Sequence, residues 1–324
     1  MEFFKVKEEL KYYQMKSKII KKVSNLVEDL GYVMFEPDYL EDYDAFIEMN
    51  QRIKKESMIK MIEPDGSISL LRPDITTSLI KHLVPKWEDE ADLKLYYSST
   101  IFSRSTLGKI EEQKQFGVEY LGNSSLSADV EVLELVMNLC KEFKLNYKVV
   151  INNNRFLNQL FNQLKLNQFD EKELKEIISN KNAYELNRFI KRLEITNPIL
   201  QNLFDLEGSI SEIKEKLKGT NISKELTDAL STLNQIEEVL EKDAYSTKYT
   251  FDLSLLTQYD YYDGIIFKGF LKGVPHVILN GGRYDPLTKQ FGKSIPAIGF
   301  SLQIQDFIKE VIKSYEGLSN NRDS

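Results

Sequence analysis

Apolar residues in the first thirty positions recur at three- and four-residue steps, which predicts one amphipathic helix from Val6 to Leu30, ended by Gly31. In the next segments the pattern predicts a strand at Tyr32 to Pro37, a hairpin at Met58 to Leu71 turning at Asp65-Gly66, and a helix opened by Arg72-Pro73-Asp74 and closed by Pro85. Paired strands at Lys94 to Ile101 and Gln113 to Leu121 follow, then a helix at Ala128 to Phe143 and a strand at Tyr147 to Ile151.

The amino-acid composition changes after this strand. Arg155 to Lys242 is poor in glycine and predicts several helices. The later segments predict strands at Tyr249 to Leu255, Gly264 to Phe270, Val274 to Leu279 and Ala297 to Ser301, then a helix from Gln303 to Ser314 and a polar tail. Hairpin strands with helices at the ends favour an antiparallel-rich α+β fold. We expect a discontinuous core of residues 1–152 and 244–316, a helical insertion domain at 153–243 and a tail at 317–324.

Composition excludes several classes of protein. The 324 residues include 42% hydrophobic side chains and carry a formal net charge of −7, so a large core is expected and nucleic acid is a poor default partner. A single cysteine and two histidines make a disulfide or a Cys/His zinc site improbable, and we expect no metal and no cofactor. Neither a signal peptide nor a membrane-spanning apolar run is recognisable, so we expect a cytoplasmic protein without a membrane partner.

The strand at Gln113 to Leu121 is the most informative segment. Strand alternation places Gln115, Gly117 and Glu119 on one face and Phe116 and Val118 on the other. The first face can form the floor of a site for a small polar ligand, because the glycine admits close approach and the carboxylate accepts a hydrogen bond. The alternative is an ordinary solvated strand face.

Three other segments carry candidate residues, each with an ordinary explanation. Asp74 and Thr76 begin a helix, where an N-cap needs such oxygens, although a ligand ammonium could use the same atoms. A tyrosine-rich run at 259–262 and the Gly281-Gly282-Arg283-Tyr284-Asp285 segment, interpreted as a turn leaving a strand, could be packing and a tight turn. No dinucleotide or P-loop motif and no nucleophile triad is recognisable, so we expect no catalytic residues.

Taken in order, these segments resemble the class II aminoacyl-tRNA synthetase core, and in particular the histidyl-tRNA synthetase branch. The similarity rests on Leu71-Arg72-Pro73-Asp74-Ile75-Thr76, Gln115-Phe116-Gly117-Val118-Glu119, Asp260-Tyr261-Tyr262, Gly281-Gly282-Arg283-Tyr284-Asp285 and Ala297-Ile298-Gly299-Phe300. The resemblance implies a histidine-like ligand whose amino group faces Asp74, Thr76 and Gln115. Its imidazole would face Glu119 and Tyr262, and Tyr261 is a further candidate for binding histidine. Arg72 and Arg283 are the possible partners of its carboxylate.

The departures from the synthetase pattern bear on activity. The motif 2 arginine position is Ile101, the arginine before the Asp-Tyr-Tyr segment is Thr257, and the motif 3 arginine is Asp306. Loss of one preorganised cation at a reacting phosphate typically costs about two to three powers of ten in rate. The chain also ends soon after motif 3, so we expect no anticodon-binding domain and no tRNA partner.

The retained and missing parts together resemble the regulatory subunits of two-component ATP phosphoribosyltransferases, which characteristically carry the Arg-Pro-Asp-Ile-Thr sequence found at 72–76. The resemblance implies a non-catalytic subunit in histidine biosynthesis that partners a short-form catalytic subunit in a mixed octamer. It also implies that L-histidine acts as effector and that a homodimer forms through motif 1, at residues 31–46. Two alternatives stay open: an amino-acid-activating enzyme, with Arg104 replacing the lost arginine through a slipped loop, and a histidine-sensing module with another partner.

Overall fold

A computed structural model describes residues 5–49, 53–105, 107–242, 245, 247–257 and 262–320. Its strands are β1 (Val33–Met34), β2 (Leu40–Asp42), β3 (Ile59–Ile62), β4 (Ile68–Leu71), β5 (Leu93–Arg104), β6 (Ile110–Leu121), β7 (Tyr147–Asn153), β8 (Glu207–Gly208), β9 (Tyr249–Asp252), β10 (Ile265–Leu271), β11 (Leu279–Arg283) and β12 (Ala297–Gln303). Its helices are α1 (Val6–Glu28), α2 (Tyr43–Met49), α3 (Ile75–Leu83), α4 (Leu126–Glu142), α5 (Asn154–Leu164), α6 (Gln168–Ser179), α7 (Ala183–Arg192), α8 (Pro198–Gln201), α9 (Ile210–Lys216), α10 (Lys224–Lys242), α11 (Asp285–Gln290) and α12 (Ile304–Asn320).

Nine strands form one mixed sheet in the order β1-β5-β6-β12-β11-β10-β7-β9-β8, and β2-β4-β3 form a small second sheet. The β1–β5 and β7–β9 pairs are parallel, and the other pairs of the large sheet are antiparallel. The long β5–β6 hairpin and the neighbouring strands therefore form one antiparallel surface. This confirms the α+β fold class.

The two faces of the large sheet differ in how they are covered. On one face, Phe116 and Val118 of β6 belong to a large buried cluster with residues of α1, α4, α10 and α12, such as Phe307. On the other face, α3 and α11 bury a smaller cluster that includes Leu79, Ile266 and Tyr284. This second face is only partly covered, and an open cleft remains over its central strands.

The stretch predicted as a helical insertion contains α5 to α10 and also the two-residue strand β8, which pairs with β9 at the sheet edge. Its buried residues, among them Phe156, Leu174 and Leu233, join the same apolar cluster as the sheet. The division into a core and an insertion domain stays a prediction.

Three sequence predictions were wrong in detail. The segment at Gly281 was interpreted as a turn, but Gly281 to Arg283 continue β11, and the predicted strand at Val274 to Leu279 begins only at its last residue. A Cβ at Gly281 would lie 2.3 Å from the Phe267 ring, so this glycine serves close packing rather than a turn. The last helix also continues past Ser314 to Asn320, where the sequence predicted a polar tail.

Candidate functional site

A cleft with a volume of about 270 Å³ lies on the partly covered face of the sheet. Strands β6, β11 and β12 form its floor, and the start of α3 forms one wall. Ligand pockets commonly measure roughly 300–1,000 Å³, so this cleft suits one small metabolite. It brings together five residues singled out from the sequence: Asp74, Thr76, Gln115, Glu119 and Tyr262. Tyr261, the sixth, lies outside the described residues.

Glu119 is the buried carboxyl group at the centre of this floor. It lies on the face of β6 that the alternation predicted. It is only 1% exposed, so this part of the face is not solvated. Thr76 Oγ1 donates to one carboxylate oxygen at 2.7 Å, and the Tyr284 hydroxyl donates to the other at 2.5 Å. Burial raises the pKa of Glu119 to about 8; these two hydrogen bonds oppose the rise and nearby Asp74 adds to it.

The N-terminus of α3 positions the neighbouring oxygens. Asp74 is the N-cap residue, and its side chain accepts hydrogen bonds from the backbone N–H of Thr77 at 2.9 Å and from the Thr77 hydroxyl. This is the capping role that the sequence suggested as the ordinary explanation. The same carboxylate also lines the cleft, so the two explanations are compatible.

Tyr284 and Gly299 are site residues that sequence reasoning did not assign. A Cβ at Gly299 would lie 1.9 Å from Glu119 Oε2, so only glycine leaves room for the carboxylate over β12. Both residues fall inside segments that carried the family resemblance, which was the available signal. Gly299 acts through the pairing of β12 with β6, and Tyr284 acts through its hydroxyl contact with Glu119, 165 positions away in the sequence. No local pattern reveals either relation.

The two arginines considered as carboxylate partners lie elsewhere. Arg72 is fully buried and donates from Nε to the Thr100 carbonyl at 2.8 Å and from Nη1 to the Asp38 carbonyl at 2.9 Å, with further bonds to Pro37 and Ser99. It ties the chain after β1 to β5. Neither it nor Arg283 is among the described residues that line the cleft.

Arg283 instead forms a buried ion pair with Asp129 of α4. Its Nε and Nη2 atoms lie 2.9 Å and 2.5 Å from Asp129 Oδ1, and Nη1 donates to the Asn123 carbonyl at 3.2 Å. The two side chains are 5% and 6% exposed. This arginine stabilises the packing of α4 beneath the sheet.

The positions where synthetases carry phosphate-binding arginines hold other groups. Ile101 lines the cleft, and Asp306 lies 3.0 Å from His276 Nε2 and accepts from Lys309 at 2.9 Å. Arg104 lies three residues from Ile101 on the same strand, so alternation places it on the opposite face of β5. Among the described residues lining the cleft, none is lysine or arginine.

The cleft therefore suits a cationic group better than a phosphate. Asp74 supplies a carboxylate, Glu119 supplies a second carboxyl group that a cationic ligand would help to ionise, and hydroxyl groups surround them, whereas a nucleotide needs positive charge at its phosphates. A ligand with an N–H group or a positive charge at Glu119 would stabilise the carboxylate that burial otherwise disfavours. The described residues contain no cluster of metal-binding side chains, and no helix within them is long and apolar enough to span a membrane.

Comparison with known proteins agrees with this geometry. Residues 10–307 match the family described as histidyl-tRNA synthetase. An ATP phosphoribosyltransferase regulatory subunit from Clostridium acetobutylicum is 32% identical over 289 residues, covering 86% of this chain and 71% of the relative. This chain belongs to the ATP phosphoribosyltransferase regulatory subunit family, within the histidyl-tRNA synthetase-like proteins. The assignment confirms the resemblance read from the five sequence segments.

Solved structures give the same fold. A Bacillus halodurans protein described as an ATP phosphoribosyltransferase regulatory subunit/histidyl-tRNA synthetase superposes with a TM-score of 0.83 at 28% identity, covering 92% of this chain and 79% of that one. A histidine–tRNA ligase subunit from Alicyclobacillus acidocaldarius has a TM-score of 0.77 at 22% identity, covering 94% of both chains. The class II synthetase-like fold of this regulatory subunit family is thereby confirmed.

Proposed function

We propose that this chain is a non-catalytic regulatory subunit that activates a short-form ATP phosphoribosyltransferase and makes it respond to L-histidine. One observation carries the proposal: the cleft keeps a buried carboxylate, Glu119, with two hydroxyl donors, while no described residue lining it is a lysine or arginine. Such a site can bind a small amine or imidazole. It is poorly suited to activating a carboxylate with ATP, because that reaction needs cations at the phosphates.

Histidine fits the charge pattern of the cleft. Its imidazole N–H can donate to Glu119, and its ammonium can donate to the side-chain oxygens of Asp74, Thr76 and Gln115, which line the same cleft. A charge-assisted hydrogen bond in a water-poor site is worth roughly 1.5–3 kcal/mol. Binding would also place a positive partner beside the buried Glu119 carboxylate. If one conformation of the assembly binds histidine more tightly than another, this favourable interaction shifts the assembly towards that conformation.

We also infer that the chain forms a homodimer, the unit from which a mixed octamer is built. Strand β1 lies at the edge of the large sheet, with Val33 63% and Met34 54% exposed. Tyr39 and Leu40 add exposed apolar surface in the same 31–46 region. An edge strand with apolar side chains favours association with a second copy. Light scattering should give a dimer or larger species, and a monomer at every concentration would contradict this inference.

Reconstitution tests the activating role. The purified chain is mixed with a short-form catalytic subunit, and phosphoribosyl transfer to ATP is measured with increasing histidine. We expect little activity from either component alone, activity in the mixture, and inhibition as histidine rises. A catalytic subunit that is equally active without this chain would overturn the proposal.

A pyrophosphate exchange assay with histidine and ATP tests the competing enzymatic function. The proposal predicts no exchange above background, because Ile101 and Asp306 stand where the arginines would act. Calorimetry should likewise detect no micromolar ATP binding, which would correspond to about −8 kcal/mol. Clear turnover by the chain alone would instead assign it as an amino-acid-activating enzyme.

A further inference from the structure

A free amino acid brings a carboxylate into a cleft whose described lining offers two acids and no cation. If histidine binds in the cleft as proposed, its carboxylate needs a partner from beyond this lining. The nearest positions are the next residues on the same face of the sheet.

The sheet register extends the floor of the cleft sideways. Gly117 of β6 pairs with Ser301 of β12, Ser301 with Asn280 of β11, and Asn280 with Lys268 of β10. Residues directly opposite each other in antiparallel strands share a face, so these four form one row. Ser301 and Asn280 line the cleft, and Lys268 is the next member of the row.

Lys268 is the one basic residue on this face of five adjacent strands, β5, β6, β12, β11 and β10, all of them within the described part of the chain. The register and the alternation of side chains along each strand place the remaining basic residues of these strands on the other face: Lys94, Arg104, Lys114 and Arg283. The position of Lys268 is therefore distinctive.

The surroundings of Lys268 leave its charge uncompensated by a bonded carboxylate among the described residues. Its Nζ donates to the carbonyl oxygen of Leu256 at 2.8 Å, which fixes the ammonium beside the segment that leads to Thr257. Nearby Lys181, by contrast, lies 2.6 Å from a carboxylate oxygen of Asp252. Burial lowers the pKa of Lys268, while the charge of Asp252 opposes that effect. A partly desolvated ammonium held by a neutral carbonyl gains from an anion nearby.

We propose that Lys268 binds the carboxylate of the amino-acid ligand at the end of the cleft opposite Glu119. Adjacent strands lie about 4.8 Å apart, so the flexible four-carbon lysine stem is long enough to reach from β10 towards the cleft floor at Asn280. An ammonium has three donors, and Leu256 uses one of them. Lys268 thereby selects α-amino acids over amines that share the imidazole but lack the carboxylate.

Calorimetry on the purified full chain tests the proposal with two probes, L-histidine and histamine, which has the same imidazole and amine but no carboxylate. The wild-type chain should bind histidine about tenfold or more tightly than histamine, the expected worth of a charge-assisted hydrogen bond. Lys268→Met should remove this preference by weakening histidine alone, and Lys268→Arg should restore much of it. Lys272→Met, a change of an exposed lysine just after β10, is the matched control and should behave as wild type.

Equal affinity of the wild-type chain for the two probes would overturn the proposal without any variant. Undiminished histidine binding by a folded Lys268→Met chain, judged by its melting temperature, would also overturn it and would leave the proposed function standing. Absence of binding of either probe to the wild-type chain would overturn the proposed function and this inference together. The three failures are therefore distinguishable.

Discussion

Two buried carboxylates, Glu119 and Asp129, lie in different parts of this protein and differ in what compensates them. Asp129, on α4, is 6% exposed and paired with the Arg283 guanidinium, so its charge is balanced inside the chain. Glu119, over the sheet, is 1% exposed and is held by the hydroxyls of Thr76 and Tyr284. Burial raises the pKa of both carboxyls, and only Asp129 has an arginine opposing that rise.

The difference separates a structural charge from a binding charge. A buried ion pair with its own partner ties elements together and does not need a ligand. A buried carboxylate bonded only to hydroxyls is satisfied in hydrogen bonds but not in charge, which favours a cationic or N–H ligand. Loss of the ion pair at Asp129 should therefore lower the free energy of unfolding, and changes at Glu119 should alter the response to the ligand.

The largest effect on folding is expected for Arg283→Met. Removal of the guanidinium leaves Asp129 buried without its bonded cation, which typically costs about 3–5 kcal/mol of the free energy of unfolding. Urea denaturation measures the loss. The control is Arg188→Met, because Arg188 is 71% exposed and pairs with Glu185 on the surface; it should change the free energy of unfolding by less than about 1 kcal/mol. Equal losses in the two variants would contradict the structural role of the pair.

Gly299→Ala should have an intermediate effect. The new Cβ would lie 1.9 Å from Glu119 Oε2, so the carboxylate or β12 must shift. Overpacking of this kind typically costs about 1–3 kcal/mol. Because the displaced carboxylate is the proposed imidazole acceptor, histidine affinity should also fall in calorimetry. Wild-type stability together with wild-type histidine affinity would show that the fit between Gly299 and Glu119 is unimportant.

The effect most specific to the carboxyl group that lacks an ion-pair partner is the pH dependence of Glu119→Gln. A raised folded-state pKa means that the folded chain holds the proton more tightly, so this contribution to stability is full below the ordinary value of 4.5 and is lost as pH rises through about 8. Glutamine has no such loss. The melting temperature of the variant relative to wild type should therefore rise by roughly 3–6 °C between pH 5 and pH 8.5.

Glu111→Gln is the control for this pH series. Glu111 lies on the same face of β6 but is exposed to solvent, so its substitution should leave the melting-temperature difference flat across the pH range. A flat difference for Glu119→Gln as well would contradict the unbalanced burial of that carboxylate.

Much of the fold was predictable because its determinants are local. The hairpin at Asp65-Gly66, the helix beginning after Asp74 and the alternation of Gln115, Gly117 and Glu119 all appear where the sequence predicted them. Periodicity and capping residues act over a few positions, so a single sequence contains the signal. The wrong prediction at Gly281 also came from reliance on a local signal. A glycine pair indicates a turn, but here the absence of a side chain makes room for the ring of Phe267 on the neighbouring strand.

The site was less predictable because it depends on strand order. Nothing local shows that Tyr284 bonds Glu119, that Gly299 makes room for it, or that Arg72 donates its hydrogen bonds to carbonyls after β1. No sequence pattern distinguishes Lys268 either, since only the register of β10 with β11 places it in a row with the cleft floor. Residues that act across the sheet become visible only when the pairing is known.

Inhibition of the mixed enzyme by histidine tests most directly whether this cleft senses histidine. Mixed enzymes containing wild-type chain, Glu119→Gln or the Glu111→Gln control are titrated with histidine, each normalised to its own activity without histidine and checked for assembly by co-elution. Loss of the charge-assisted bond should raise the half-inhibitory histidine concentration by about tenfold or more in Glu119→Gln alone. An unchanged inhibition curve in an assembled Glu119→Gln enzyme would contradict the claim and transfer the sensor to another part of the complex.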